Sequence, residues 1–242
     1  MGRHHLQIGE TIATVIVDGK YLQLAEKAVF EARELIESYI HENPRFGKSH
    51  SPIEVDEKAP EIIKKMAASG KRVGVGPMAS VAGAIAEYVV ERLVADGARH
   101  VLFDNGGDIA MYLDHPIIAG IYAGTRGPTG LGLKISQTKK ILGLCTSSAR
   151  VGHSLSYGDA DASIIYSDNV TLADAAATAL GNAISCKDSG IIEASLNDIM
   201  NAGISGAMVA IEDMIGTCGE LPQIVRAKVD YDLISKGGMV SE

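Results

Sequence analysis

The hydrophobic pattern of this chain changes its period in blocks. From about residue 24 to 94 most apolar residues recur three or four positions apart, whereas from about 100 to 166 they form short runs bounded by Gly, Pro and Asp. Helical spacing then returns, followed by two last short apolar runs. Helices and strands in separate runs predict an α+β fold with packed helices and mixed or antiparallel sheets, and they exclude a TIM barrel.

The periodicity also gives approximate bounds for the elements. Helices are predicted over about 24–40, 60–68, 78–94, 172–184 and 191–201, with Gly70 as the stop signal of the second. Strands are predicted over 11–17, 100–103, 109–113, 117–123, 131–135, 141–146, 163–166, 207–211 and 224–229. Asp18-Gly19, directly after the first strand, is a strong hairpin turn signal.

Composition limits the classes of partner. The chain has 242 residues, and its 22 Lys+Arg against 30 Asp+Glu give a formal charge of −8. No Lys/Arg cluster could form the basic face that a nucleic acid requires, so none is expected as a partner, although a small anion could still bind to local amides. The absence of a linker-like stretch predicts one domain over 1–242. Ala- and Gly-rich helices would suit close packing within a subunit or in a homo-oligomer.

The sequence predicts a cytoplasmic protein that does not enter a membrane. The first residues lack the apolar core of a secretion signal, and no apolar run reaches the roughly 18 residues of a membrane span. The three cysteines, Cys145, Cys186 and Cys218, are too widely spaced to indicate a disulfide framework or a zinc site. Each is interpreted as a core thiol.

A glycine-rich string, Gly74-Val75-Gly76-Pro77-Met78-Ala79, precedes the third predicted helix. It has the G-x-G-x-x-A form of a dinucleotide-binding turn, in which Asp104 would bind the ribose. Pro77 removes one amide from such a turn, and Asp104 lies about 30 residues on where about 20 is usual. An ordinary strand-to-helix turn is therefore favoured, although a nucleotide could still use this helix end.

Two further segments combine glycine, hydroxyl and charged side chains. Asp104-Asn105-Gly106-Gly107-Asp108 joins two predicted strands, and it is either a plain hairpin or a longer loop whose amides face a phosphate while Asp108 holds a metal or a ribose hydroxyl. The stretch 146–153 follows a buried-looking strand. It is either a solvated loop or a site in which His153 acts as a general acid or base and Arg150 clamps a phosphate.

The fourth segment lies in the predicted helix over 172–184. Thr171 and Asp174 have the spacing of a capping box, which accounts for that pair without any function. Thr178 is a poor helix former in an Ala-rich helix unless its hydroxyl is used. Because Asp174 and Thr178 are four residues apart, both oxygens lie on one helical face, where they would suit a hard cation such as magnesium.

These segments, in this order, resemble the ApbE family of flavin transferases. Asn105-Gly106-Gly107-Asp108 is similar to the family's Asn-x-Gly-Gly-Asp loop, and Thr146-Ser147-Ser148 to its Thr-Ser-Gly. His153 stands at the position of the catalytic histidine, and Ala173-Asp174-Ala175-Ala176-Ala177-Thr178 fits the Ala-Asp-x-x-x-Thr helix. The alignable stretch runs from about Gly76 to Leu180.

The resemblance implies a site and a reaction. The family moves the FMN half of FAD onto a threonine of an acceptor protein, AMP leaves, and magnesium polarises the pyrophosphate. Asp174 and Thr178 would then be metal ligands, with His153 and Arg150 in catalytic roles. The nucleotide-binding residues carried over are those of the two loops, namely Asn105, Gly106, Gly107, Asp108, Thr146 and Ser147.

The chain also departs from the family pattern. The family's Ala-Lys-Gly signature appears in this chain as Val81-Ala82-Gly83, and Glu87 stands where the family usually has an Asp. The Asp-Pro that follows the family's histidine is absent after His153. FAD binding is thus the first hypothesis, with FMN transfer as its extension. A short cytoplasmic branch of the family is linked to sulfide assimilation into homocysteine, so an accessory role near Cys145, or a plain flavin-binding module, remains open.

Overall fold

A computed structural model describes residues 1–124, 127, 129–148 and 158–227 of the chain. The described part contains five α-helices: α1 (Leu22–Glu42), α2 (Glu61–Val73), α3 (Val81–Ala95), α4 (Val170–Ala183) and α5 (Ser189–Met200). Its strands are β1 (Gly2–Ile8), β2 (Thr11–Val17), β3 (Val101–Asn105), β4 (Asp108–Tyr112), β5 (Ile117–Gly120), β6 (Leu131–Ile135), β7 (Leu142–Ser147), β8 (Ala162–Ser167), β9 (Gly206–Ile211), β10 (Met214–Gly219) and β11 (Gln223–Arg226).

The strands form two sheets. A large sheet has the order β1-β2-β3-β4-β7-β8-β9-β10, and a small one has the order β11-β6-β5. Every strand pair in the described residues is antiparallel. The α+β prediction is therefore confirmed, and of the two predicted sheet types it is the antiparallel one that occurs.

The large sheet lies between two hydrophobic cores. On one face its strands bury side chains such as Val15 and Phe103 against the five helices. On the other face, residues such as Met111 and Leu144 pack against the small sheet. In β9, for example, Ala207 and Val209 belong to the first core and Met208 and Ala210 to the second, because successive side chains point to opposite faces. A polar residue at the end of a strand therefore faces either the helices or the small sheet according to its position in this alternation.

Several local signals fold differently from their prediction. Asp18-Gly19 does not form a hairpin: the Asp18 side chain caps a short 3-10 helix that leads into α1, and the hairpin lies earlier, between β1 and β2. Helix α2 continues through Gly70 to Val73 and ends at Gly74, whose φ of 76° is the left-handed cap that glycine favours. Helix α2, and not a strand, leads directly into Gly74, so the glycine-rich string joins two helices and is not a dinucleotide-binding turn.

The predicted strand and cysteine patterns also need correction. Strands β1 and β10, the two edges of the large sheet, were not predicted. Cys145 is fully buried, as expected, but Cys186 is exposed and Cys218 is only partly buried, so the core assignment is wrong for these two.

No single helix among the described residues has the length and apolar character needed to cross a membrane. The segments Glu61–Val73 and Pro77–Ala95 satisfy the length and composition only as a pair, and that pair is bent by 105°.

Candidate functional site

Helices α3 and α4 pack antiparallel and cap each other. The Asp174 carboxylate on α4 accepts a hydrogen bond of 2.7 Å from the backbone N–H of Gly83, in the first turn of α3. The first amides of a helix have no partner within it and carry the positive end of its dipole, so a carboxylate is well placed there. Asp174 thus caps a neighbouring helix instead of forming a local capping box with Thr171.

The reciprocal cap is provided by Glu87 of α3. Its Oε2 atom accepts hydrogen bonds from the backbone N–H and the hydroxyl of Thr171, at 2.9 and 2.5 Å, in the first turn of α4. Its Oε1 atom accepts from Lys65 of α2 at 2.9 Å. Asn169, whose side chain accepts from the N–H of Leu172, is the local N-cap of α4. The predicted capping box is therefore replaced by contacts between helices.

Gly83 allows the two helices to approach this closely. A Cβ atom at this position would lie 2.6 Å from the Cβ of Asp174 and 3.0 Å from the carbonyl oxygen of Val170. Neither neighbour can move without shifting α4, since one is backbone and the other begins a buried side chain. The glycine that the sequence shares with the family signature is thus needed for helix packing.

The β3–β4 hairpin brings a second carboxylate to this helix pair. Asn105 and Asp108 are paired across the hairpin, and Gly106 and Gly107 alone form its turn, with φ angles of 71° and 105°. This geometry is that of a two-residue turn in which glycine is favoured at both positions. The loop is therefore a tight hairpin, not the longer loop considered from the sequence.

Asp108 and Asn105 have different surroundings. The Asn105 side chain donates to the carbonyl oxygen of Ala82 at 3.1 Å, so it ties the hairpin to the start of α3. Asp108 is buried, and its Oδ1 atom has no hydrogen-bond partner among the described residues. A buried carboxylate oxygen without a donor is costly, which makes Asp108 the strongest indication that something binds here.

Asp108, Asp174 and Thr178 line one cavity of about 410 Å³. Its other walls come from the segment after α1, the turn before α3 and the end of α4: Gly47, Lys48, Ser49, His50, Val75, Gly76, Met78, Ala79, Val81, Ala82 and Asn182. The Thr178 hydroxyl lies 3.5 Å from the Ala79 carbonyl oxygen. The two oxygens predicted on one face of α4 therefore do face a common space, and a third joins them from the sheet.

The electrostatics of the cavity favour a cation. Burial raises the pKa of Asp174 to about 7, although the Gly83 and Ala82 amides act in the opposite direction. Burial, and then the charge of Asp174, raises the pKa of Asp108 well above its usual range. Two carboxylates this close disfavour each other's ionised form. A cation between them would remove that repulsion and satisfy the unpartnered oxygen.

The remaining predicted nucleotide-binding residues do not line this cavity, namely Asn105, Gly106, Gly107, Thr146 and Ser147. Cys145 faces the helices, because its thiol donates to the Val170 carbonyl oxygen at 3.6 Å. By strand alternation Ser147 lies on the same face and Thr146 on the opposite one. The Ser147 hydroxyl is buried without a partner among the described residues, as is that of Ser163 directly across the strand pair. Gly107 has no amide to offer a phosphate, since its N–H donates to Asp104 at 2.8 Å.

The two residues predicted as catalytic, Arg150 and His153, lie outside the described residues. Their roles stay predictions.

The sequence did not identify the wall formed by Lys48, Ser49 and His50. A Cβ atom on Gly76 would lie 1.9 Å from the Ser49 carbonyl oxygen, so the absent side chain lets this segment close over the turn before α3. Gly47-Lys48-Ser49-His50, a small, basic and hydroxyl-bearing stretch between two helices, was the available signal. Lys48 and His50 are both exposed at the cavity rim.

Cys145 is not activated for chemistry. It is fully buried, and burial together with the nearby Asp108 carboxylate raises the pKa of its thiol well above the usual range. A nucleophilic cysteine needs the opposite surroundings, a thiolate stabilised by positive charge. The structure therefore gives no support to a sulfur-transfer role for Cys145.

The donor set of the cavity is suitable for magnesium. It consists of two carboxylates and one hydroxyl, and magnesium prefers oxygen ligands while keeping several positions for water and phosphate oxygens. Asp108, with its unpartnered Oδ1, and Asp174 and Thr178 would hold the ion. Cys145 lies next to Asp108, but burial raises the pKa of its thiol and so disfavours the thiolate that a softer metal would prefer.

Solved structures with this fold are known. The chain resembles the flavinyl transferase ApbE of Pseudomonas stutzeri in its apo form, with a TM-score of 0.58 and 13% identity over 98% of this chain and 97% of that one. It also resembles the ApbE protein of Thermotoga maritima, with a TM-score of 0.59 and 12% identity over 97% and 100%. These likenesses confirm the predicted ApbE-like fold.

Sequence comparison defines the family more closely. A UPF0280 protein of Methanocella arvoryzae is 45% identical over 232 residues, which are 96% of this chain and 94% of the relative. A UPF0280 protein of Methanocaldococcus jannaschii is 40% identical over 228 residues, 90% of this chain and 91% of the relative. A profile of the family described as AbpE bacteria matches residues 1–212. The chain therefore belongs to the AbpE bacteria family.

Proposed function

We propose that this protein binds FAD through a magnesium ion held by Asp108, Asp174 and Thr178, and that it transfers the FMN half of FAD to an acceptor hydroxyl. The observation that carries the proposal is the buried, unpartnered Oδ1 of Asp108 in one cavity with the other two oxygens. Two proteins with this fold, from Pseudomonas stutzeri and Vibrio cholerae, are flavin transferases. This likeness supports a flavin nucleotide as the ligand.

The shape and charge of the cavity suit a nucleotide diphosphate. Its volume of about 410 Å³ is in the range of roughly 300–1,000 Å³ found for small-molecule sites. Carboxylates lie at its base and the cationic Lys48 at its rim. Without a bound cation, the two carboxylates would repel an anionic ligand. Bound magnesium would neutralise the phosphate charge and polarise the pyrophosphate bond.

The carboxylates of Asp108 and Asp174 are already held in place before any ligand binds. Asp174 is held in place by the first amides of α3, and Asp108 by the β3–β4 hairpin, so neither side chain has to reorganise when ligand binds. In the transfer step the acceptor hydroxyl forms a bond to the FMN phosphorus, the bond from that phosphorus to the bridging oxygen breaks, AMP leaves, and the hydroxyl proton passes to a base. His153 is the proposed base.

Metal-dependent FAD binding tests the first part of the proposal. FAD is titrated with the purified protein in the presence and absence of Mg²⁺, and binding is followed by flavin fluorescence and by calorimetry. We expect binding that weakens at least tenfold when Mg²⁺ is removed by chelation. Binding of equal strength without a divalent ion would contradict the metal assignment.

Isosteric variants test the ligand set. Asp174→Asn retains an oxygen that can accept from Gly83, and Asp108→Asn retains the side-chain volume, so both should fold. Each should weaken Mg²⁺-dependent FAD binding at least tenfold. Asp198→Asn, on the exposed side of α5, is the matched control and should bind as wild type does. Unchanged binding in both site variants would refute the proposed ligands.

Release of AMP separates a transferase from a plain binding module. The protein is incubated with FAD, Mg²⁺ and a threonine-containing acceptor domain of a flavin-modified protein, and AMP is quantified by chromatography. We expect AMP in proportion to acceptor flavinylation, lost in His153→Ala while FAD binding is retained. Tight FAD binding with no AMP would limit the function to binding or storage.

A further inference from the structure

Outside the proposed nucleotide site, one group of side chains has the composition of a second metal centre. Within the described residues, His100, Asp114 and His115 each offer one ligand atom, and the three atoms lie within 4.8 Å of one another. Nδ1 of His100 and Nδ1 of His115 lie 2.8 and 2.5 Å from the same Asp114 oxygen, Oδ1. The two imidazole rings are stacked, with centroids 3.8 Å apart.

We propose that His100, Asp114 and His115 bind a borderline divalent ion such as Zn²⁺. Zinc takes imidazole nitrogen and carboxylate oxygen at about 2.0–2.2 Å, which puts tetrahedral ligand atoms about 3.4 Å apart. The two Nδ1–Oδ1 separations, 2.8 and 2.5 Å, are shorter than this, and the imidazole planes are nearly parallel, so the exposed His115 ring must turn for both nitrogens to reach one ion. Two nitrogen donors of three favour zinc over magnesium, which prefers oxygen.

Both histidines can replace their hydrogen bond to Asp114 by a bond to zinc. An ionised carboxylate accepts hydrogen bonds only, so each imidazole now donates its Nδ1 hydrogen to Asp114. When zinc binds at Nδ1, that hydrogen moves to Nε2 and the ring stays neutral. His100 is anchored because it is buried, whereas Asp114 and His115 are about half exposed and can turn to the ion without disturbing the core.

The group lies far from the nucleotide cavity. His100 precedes β3 and Asp114 follows β4, so both stand at the ends of these strands opposite to the Asn105–Asp108 turn. Five residues of strand at about 3.3 Å each separate the two places by about 16 Å. His115 leads directly into β5 of the small sheet. Zinc here would fasten the junction of the two sheets and leave a coordination position open to solvent.

Zinc binding by the full-length, tag-free protein tests the proposal. After removal of metals by chelation, Zn²⁺ binding is measured by calorimetry, and Co²⁺ is used as a spectroscopic probe of nitrogen ligation. We expect one equivalent of Zn²⁺ with a micromolar Kd, and visible Co²⁺ absorption bands. His115→Ala and Asp114→Asn, at exposed positions, should each weaken Zn²⁺ binding at least tenfold. His41→Ala, an exposed histidine on α1, is the matched control and should not change it.

The outcomes distinguish this site from the nucleotide site. Zinc binding that persists in Asp174→Asn but is lost in His115→Ala supports the proposal, whatever the FAD experiments show. Zinc binding lost in Asp174→Asn instead would assign the ion to the oxygen site and overturn it. No binding below 1 mM, or equal binding in His115→Ala and wild type, would overturn it as well.

Discussion

The contact between Glu87 and the start of α4 gives a stability prediction that can be worked out atom by atom. Glu87→Gln keeps the shape of the side chain but leaves it one oxygen. In the native protein Oε2 accepts two hydrogen bonds from Thr171 and Oε1 accepts one from Lys65. Whichever way the amide of the glutamine faces, at least one of these donors loses its acceptor.

The expected cost follows from these partners. A buried donor left without an acceptor costs about 1–3 kcal/mol. The lost ion pair adds no more than about 1 kcal/mol, because the Lys65 side chain is 30% exposed. We therefore expect Glu87→Gln to lower the free energy of unfolding by about 2–3 kcal/mol. For a chain of this length that corresponds to a decrease in Tm of about 4–12 °C.

Glu91→Gln is the matched control. Glu91 is one helical turn further along α3 and pairs with the same Lys65, but its side chain is 44% exposed. Its loss should cost at most about 1 kcal/mol. Urea denaturation followed by far-UV circular dichroism measures both variants. If Glu87→Gln were no less stable than Glu91→Gln, the reciprocal cap between α3 and α4 would not contribute as argued.

Three further predictions concern close packing and thiol access. Gly83→Ala should cost about 1–2 kcal/mol net and weaken Mg²⁺ binding, because the clash with α4 exceeds the gain in helix propensity. Gly19→Ala, where an added Cβ meets nothing within 4 Å, is the control and should be neutral or stabilising. Gly76→Ala should destabilise the protein and weaken FAD binding, since the added Cβ displaces a cavity wall; wild-type affinity would contradict this. In the native protein a thiol reagent should modify Cys186 within minutes and Cys145 only after unfolding; rapid modification of Cys145 would show that its burial is wrong.

The hairpin at Asn105–Asp108 illustrates how far local rules reach, because the sequence left a plain hairpin and a longer loop open and the plain hairpin is the one that forms. Two glycines between β-rich runs specify a tight turn because their positive φ angles cost nothing, and this holds whatever surrounds the turn. The local sequence of the turn did not show that it would place Asp108 in the cavity. The orphaned Asp108 oxygen results from burial under α3 and α4, which are formed by residues far away in sequence.

Other local signals were ambiguous because tertiary contacts competed with them. Asp18-Gly19 suits a hairpin turn and the start of a 3-10 helix equally well, and here the Asp18 side chain caps the helix by accepting from the Lys20 N–H. Thr171 and Asp174 have the spacing of a capping box, but each side chain finds a stronger partner on α3. Edge strands β1 and β10 carry little hydrophobic signal since they are only half buried.

The sequence by itself determined the α+β class, the positions of the main helices and the shared face of Asp174 and Thr178. These are properties of spacing along one chain segment, and helical periodicity expresses them without reference to any other segment. Only the tertiary structure decided that Asp108 meets this pair, that Asp174 caps α3, and that Lys48 and His50 border the cavity. Those contacts join residues that are many positions apart. They depend on how the helices pack on the large sheet, which no local pattern encodes.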